Sequence, residues 1–372
     1  MYKCIERKLR QSNNSKLGLP YYEFDFTMRR KMQSPTSYDV AIHAGVSQSV
    51  VSRAFQVDSP IAPATRAKVL ASAKLLSYFP NAIARSLITK RSGLAGLLLT
   101  ESTQRDAPDV LFFLTRALLR QGFQPLLFPS ELESGGGQAL AQAMAFGVDG
   151  VVSCVSLSCD DLAQAQLRER PLVLFNREAR SPSACVVACD HSSAARLLAS
   201  RLFAAGHRRF AVVRGPEDAP VSALRVNGFL QRLQELGIES VVQIEGDYHY
   251  ESGHAAALAL FAGAPLTDPK QQPEVVFCVN DAMALGMLDA LRFALMLQVP
   301  RDVSVVGFDD IPSGRRPAYL LTTVSQPFEA MAEHAARILR TRVDDPAAPV
   351  QAELLSGSLI ERSSAQLLGV RY

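Results

Sequence analysis

None of the six cysteines, Cys4, Cys154, Cys159, Cys185, Cys189 and Cys278, forms a CxxC pair, and a 372-residue chain needs no disulfides to fold, so reduced thiols are the simplest reading. Cys185 and Cys189 fall in the β-branched run ACVVACD, which argues against a metal site there. No apolar run approaches the roughly 18 residues that cross a bilayer, and charges occupy the N-terminal stretch where a secretory segment would be apolar. A cytoplasmic chain with no membrane role is expected. GxSxG, the P-loop, GxGxxG and HExxH are all missing, and SGGGQ at 134–138 lacks the lysine of a phosphate loop. An enzyme would have to rest on Asp309-Asp310 as acid/base groups or metal ligands, so no catalytic residue, cofactor or metal is expected.

What is present is unevenly spread. Net charge is only +3, yet residues 1–91 hold 15 Lys and Arg against 5 Asp and Glu, and residues 92–372 carry an acidic excess of seven. A basic head on an acidic body suits a nucleic-acid partner, although a basic tail is also compatible with a solvated or membrane-surface segment. A hydrophobic content of 48% supplies two or three buried cores.

Residues 1–35 show no helical or strand period and read as a disordered extension, with Met28 and Met32 as alternative starts. The next segment, 36–80, reads as short helices. Val40, Ala41 and Ala44 share one face, Gly45-Val46-Ser47 supplies a turn and a capping hydroxyl, and Gln48–Phe55 places Val51 and Ala54 three apart. A third helix starts near Pro63 and runs through Val69, Leu70, Ala73 and Leu76. Asn81 then caps a weakly amphipathic helix to Ile88, marginal by itself, within a hinge and linker at 81–92.

From Leu94 apolar runs alternate with helical stretches: LAGLLLT, QPLLF, GVVSCVSL, PLVLF, ACVVA, RRFAVV, EVVFCV and VSVVGF. Strand then helix, repeated, predicts parallel sheets covered on both faces, and eight strands predict two lobes with a cleft. Ligands of such sheets sit at the carboxyl ends of the strands. Thr100-Glu101, Asn176-Arg177, Asn280-Asp281 and Asp309-Asp310 each follow a run directly.

Two helices joined by a tight glycine turn form a helix-turn-helix, whose second helix enters the major groove. Its first residues are Ser47, Gln48 and Ser49, with Arg53 one turn on; Gln48 pairs with adenine and Arg53 forks onto guanine. A helical hairpin with solvated polar residues is the plainer alternative. SYDVAIHAGVSQSVVSRAF, IAPATRAKV and YFPNAIARSL, in that order, closely resemble the head and hinge of the lactose repressor (LacI/GalR) family of bacterial transcription regulators. PLVLFNRE, AAGHRRFAVVRG, ALRVNGFLQRL, VFCVNDAMALGMLDAL, VPRDVSVVGFDDIP and LLTTVSQPFEAMAEHAARIL extend the resemblance over residues 37–364.

The resemblance implies an α/β chain: an all-helical helix-turn-helix DNA-binding domain plus hinge helix, then a two-lobed periplasmic-binding-protein-like domain of parallel sheets. It puts the first lobe at 93–188 and 320–353 and the second at 189–319 and 354–365. It implies a homodimer on palindromic operator DNA, with Asn81, Ala84 and Leu87 at the minor groove and Leu87 wedged into a base step; packing of Leu87 under the sensor is the alternative. It also implies effector contacts at Asn176, Arg225, Asn280 and Asp309, to which Thr100 and Glu101 are added from the first loop. A guanidinium, carboxylates and carboxamides together donate to and accept from a sugar, a sugar acid or a nucleobase. Arg225 in a surface salt bridge, Asp309 as a turn former and Glu101 as a solvated carboxylate are the structural alternatives. Departures from the family pattern are Ser37, where a larger apolar residue is frequent, Val50 in place of the usual Thr, Ser77 in place of a usual glycine, and Asn176 where many members have Asp. A transport-type binding protein would share the body but needs an export signal and no head.

Overall fold

Thr36 starts the first helix, Ser37–Ala44, through a reciprocal cap: its hydroxyl accepts from the Asp39 amide at 3.4 Å, and its own amide donates to Asp39 at 2.8 Å. Gly45, at φ 61°, ends it, with its N–H on the Ile42 carbonyl and that of Val46 on the Ala41 carbonyl. A side chain with a Cβ is strained at that φ, which is why a glycine makes this turn. The second and third helices are Gln48–Ala54 and Pro63–Leu75, the latter opened by its proline. Val40, Ala41, Ala44, Val51, Ala54, Val69 and Ala73 form the core they share. Leu70, in the apolar run of the third helix, is exposed, and Tyr78 packs edge-on to Phe55 at 5.9 Å beside that core.

This computed structural model describes residues 35–55, 59–80, 91–100, 103, 108–130, 135–177, 184–217, 219–261 and 272–367. The chain divides into two units, Met1–Ala82 and Ile83–Tyr372. The expected extension up to residue 34, the hinge helix with Asn81, Ala84 and Leu87, and Glu101 lie outside the described residues.

The second unit holds two six-stranded sheets. The first contains β1 (Leu94–Thr100), β2 (Gln124–Ser130), β3 (Gly150–Ser153), β4 (Leu172–Phe175), β5 (Cys185–Cys189) and β11 (Ala352–Leu355), all parallel, in the order β11-β5-β4-β3-β1-β2. The second contains β6 (Phe210–Arg214), β7 (Val241–Glu245), β8 (Val275–Cys278), β9 (Ser304–Asp309), β10 (Thr322–Ser325) and β12 (Ser358–Ile360), in the order β12-β10-β9-β8-β6-β7, parallel except for β12 against β10. Two apolar clusters lie on the first sheet and one large cluster on the second, as expected for strands covered by helices. Cys185 and Cys189 are buried.

Three connections cross between the sheets: at Asp190, at Gln326-Pro327 and at Ser356-Gly357. The sequence boundary at residue 320 is corrected by six residues, because β10 pairs with β9 in the second sheet before the chain crosses back to the helix Phe328–Asp344. Likewise β11 carries the first lobe on to Leu355. No helix among the described residues is long and apolar enough to cross a membrane.

Candidate functional site

In the head, Ser47, Gln48, Ser49 and Arg53 are all exposed at and beyond the start of the second helix. Gln48 Nε2 donates to the Ser37 hydroxyl at 2.8 Å, the Ser47 and Ser49 hydroxyls are 2.9 Å apart, and Arg53 Nε donates to the Ser49 carbonyl at 3.3 Å. Ser37, where the family pattern favours a larger apolar side chain, therefore steadies the Gln48 amide. Val50, the other departure in this helix, packs against the head core.

In the body the chemistry gathers where the strands end. Helix Pro220–Glu235 lies close against helix His191–Ala204, since a Cβ at Gly228 would come 2.6 Å from the Ser192 carbonyl oxygen. That approach brings Arg225, one turn before Gly228, to His191. Arg225 is 4% exposed and stacks on Phe308 with its guanidinium carbon 3.9 Å from the ring centre. It donates to the Val279 carbonyl at 2.6 Å and to His191 Nδ1 at 3.3 Å, and pairs with Asp309 at 3.0 Å. The surface salt bridge considered for Arg225 is thus a buried one.

Asn176 ends β4 in the other lobe. Its Oδ1 accepts from the Cys189 amide at 3.3 Å and lies 3.0 Å from His191 Nε2, while its Nδ2 donates to Gln326 at 2.9 Å. Gln326 Nε2 in turn donates to Asp309 at 2.7 Å. Asn176 is therefore joined to the directly paired Arg225 and Asp309 through His191 and Gln326, which sequence reasoning missed. Each is a polar residue on an interlobe connection, and the signal that would have found them is that those connections must pass the cleft.

Asn280 is occupied with local structure. Its Oδ1 caps the helix Asp281–Asp289 by accepting from the Met283 amide, and its Nδ2 donates to the Tyr248 carbonyl. Thr100 is buried, and its hydroxyl accepts from the Thr103 amide at 3.1 Å. Asp310 is held by Arg315 at 3.0 Å and Arg362 at 2.6 Å, so Asp309 and Asp310 are each engaged by guanidinium groups. Asp281 lies fully buried beneath this loop. It accepts from Thr323 Oγ1 at 2.6 Å and from the Ile311 amide at 2.9 Å, and burial, followed by the Asp309 charge, pushes it up to about 7. Asn176, Tyr248, Asp309 and Asp310, four of the eight non-glycine residues with positive φ among the described residues, stand at or just beyond strand ends, at φ between 56° and 130°. Tyr248, also missed, is close enough to Gly215 that a Cβ there would lie 2.6 Å from its ring. Among the described residues no group of three His, Cys, Asp or Glu side chains is placed to hold a metal.

Residues 36–81 match the bacterial regulatory proteins of the lacI family, and residues 199–365 match a periplasmic binding protein-like domain. The chain is 34% identical to the transcriptional regulator CelR of Thermobifida fusca over 84% of its length and 93% of that protein's. It belongs to the lacI family. The ribose operon repressor of Escherichia coli K12 is 31% identical over 89% of this chain and 99% of its own. Among solved structures, the Lac repressor bound to ONPG superposes with a TM-score of 0.77 at 26% identity, covering 89% of this chain and all of that one. A CelR–cellobiose complex does so at 0.64 and 31%, covering 89% and 99%. As a lacI-family member the chain is a DNA-binding transcriptional regulator with an effector-controlled, two-lobed sensor, and its relatives are regulators rather than enzymes.

Proposed function

We propose that this lacI-family regulator works in the cytoplasm as a homodimer on palindromic operator DNA, and that a sugar or sugar derivative bound between its lobes sets operator affinity, with repression as the default. Ser47, Gln48, Ser49 and Arg53 read base edges, and Asn81, Ala84 and Leu87 occupy the minor groove at the centre of the site. Arg225, Asp309 and Asn176 meet the effector, joined by the one Asn280 amide N–H that its helix cap and its bond to Tyr248 do not use, with Thr100 and Glu101 contributed by the first loop.

The observation that carries the ligand class is the donor inventory around Asp309. Among the described residues, Arg225 hydrogen-bonds Val279 and His191 and ion-pairs with Asp309, and Asn176 donates one of its two amide N–H groups to Gln326, so both keep donors beyond these contacts. Donors beside a carboxylate suit adjacent hydroxyls, each of which accepts one bond and donates another. The relative solved with cellobiose supports the same class. A nucleobase is the second reading, favoured by the half-buried Tyr248 ring, which feels the charges of Arg225 and Asp309.

The full chain, with an operator obtained by selection from random DNA, is titrated with and without cellobiose, ribose and a panel of purines. Arg225→Ala is expected to abolish the ligand response while leaving ligand-free operator affinity within twofold, on the order of 0.4 kcal/mol. Loss of operator affinity in that variant, with ligand response retained, overturns the effector assignment. A mass other than that of a dimer by light scattering overturns the assembly.

A further inference from the structure

Asn176, His191, Arg225, Asp309 and Gln326 form a closed ring of four hydrogen bonds, between 2.7 and 3.3 Å, completed by the Arg225–Asp309 ion pair at 3.0 Å. Its members come from both lobes, and two of them, His191 and Gln326, sit on interlobe connections. The direction of every bond follows from groups that have no choice. A guanidinium only donates, so His191 Nδ1, facing Arg225 Nε, accepts and carries no proton. The imidazole proton is then on Nε2, which donates to Asn176 Oδ1. That oxygen is fixed independently, because the Cys189 backbone N–H, also donor-only, points at the same atom. Asn176 Nδ2 must therefore donate to Gln326 Oε1, leaving Gln326 Nε2 to donate to the Asp309 carboxylate, which only accepts. Arg225 closes the ring on the same oxygen.

We infer that His191, neutral with its proton on Nε2, and Gln326 are positioning residues that lock Arg225, Asn176 and Asp309 into a single hydrogen-bond direction across the two lobes. The inference rests on the effector-site reading and deepens it: ring direction decides which N–H groups of Arg225 and Asn176 are left for a ligand. The surroundings keep the imidazole neutral. Arg225 faces it from helix Pro220–Glu235 and Arg177 from the end of β4, Phe308 of β9 packs on it at 5.6 Å, and burial together with the two guanidinium groups holds its pKa well below the usual histidine range. Within the ring the Asp309 carboxylate bonds to Arg225 and Gln326 and not to the imidazole, so it gives His191 no direct partner for a second proton. Protonating Nδ1 would set two donors against each other and open the ring at Arg225.

Full-length protein labelled with 15N at histidine tests this by long-range proton–nitrogen correlation. His191 is assigned from the signals lost in His191→Phe or by elimination against the other five histidines. One protonated Nε2 and one unprotonated Nδ1 are expected throughout the range of about pH 5 to 8, where a free imidazole titrates. An imidazolium, or the Nδ1–H tautomer, overturns the inference. Gln326→Glu sets a second carboxylate against Asp309 without touching His191. Both His191 nitrogens are expected to move as the ring reorganises; nitrogens that stay at their wild-type positions show independent bonds and also overturn it. Neither readout uses a ligand, so it is scored apart from the Arg225→Ala titration.

Discussion

Asp281 carries a consequence of the site that single residues can report. Its carboxyl is raised from 3.8 to about 7, mainly by burial and then by Asp309. A carboxyl whose folded value lies above its unfolded one favours the protonated folded chain. The stability this linkage contributes is full below about 3.8 and is lost as pH rises through about 7. Asp281→Asn keeps the neutral form at every pH: its oxygen still accepts from the Ile311 amide, and its NH2 meets the Thr323 hydroxyl, which can accept. Thermal unfolding of the variant is expected to show a smaller fall between pH 5 and 8 than the wild type and a higher midpoint at pH 8. Parallel profiles for the two proteins would refute this linkage. At this scale the sequence was legible where strand ends carry charged or amide pairs, as at Asn176 and Asp309. His191 and Gln326 stayed hidden because a buried polar residue on a connection has no period, and its partners come from distant parts of the chain.

At the scale of elements, strands with continuous apolar runs were legible, the edge strand β2 among them, whereas β7, β10, β11 and β12 were not. β7 is largely exposed and β11 alternates, so neither shows the buried run of a central strand. β10, Thr322-Thr323-Val324-Ser325, is buried but polar in composition, because Thr323 binds Asp281 and Thr322 binds the Arg362 carbonyl. In the head, the sequence marks Ser77 only as standing where relatives have glycine. The structure supplies the reason: Ser77 sits at φ 52° just past the third helix, its N–H on the Lys74 carbonyl and the Tyr78 N–H on the Ala73 carbonyl, a left-handed cap. A non-glycine residue there costs roughly 1–2 kcal/mol, partly offset by the roughly 0.5–1 kcal/mol of chain entropy that a glycine loses on folding. Ser77→Gly is therefore expected to stabilise the head by about 0.5–1 kcal/mol. Hydrogen exchange of the Val69 and Ala73 amides reads this directly, and unchanged or faster exchange would count against it.

For the whole molecule, charge segregation fixes how DNA binding responds to salt. The basic excess of ten in residues 1–91 belongs to the DNA-binding end and the acidic excess of seven to the sensor. Cations that touch phosphates release counterions, so log affinity falls linearly with log salt, by about 0.9 per phosphate neutralised. Arg53→Ala in the full chain separates the two ways an exposed guanidinium can serve. Removing a base reader from the second helix should cost about 1–3 kcal/mol on the selected operator and relax preference at one position, with the salt slope nearly unchanged. Removing a cation that touches only phosphate should weaken binding to all sequences alike and flatten the slope by about 1. The first outcome is expected, because Arg53 lies one turn beyond Ser49 on the exposed face of the helix that carries Gln48, with its Nε already directed back along that face to the Ser49 carbonyl. Operator selection repeated with the variant, at two salt concentrations, decides between them: an unaltered consensus sequence with a flatter slope would reassign Arg53 to the DNA backbone and leave Gln48 and Ser49 to carry the readout.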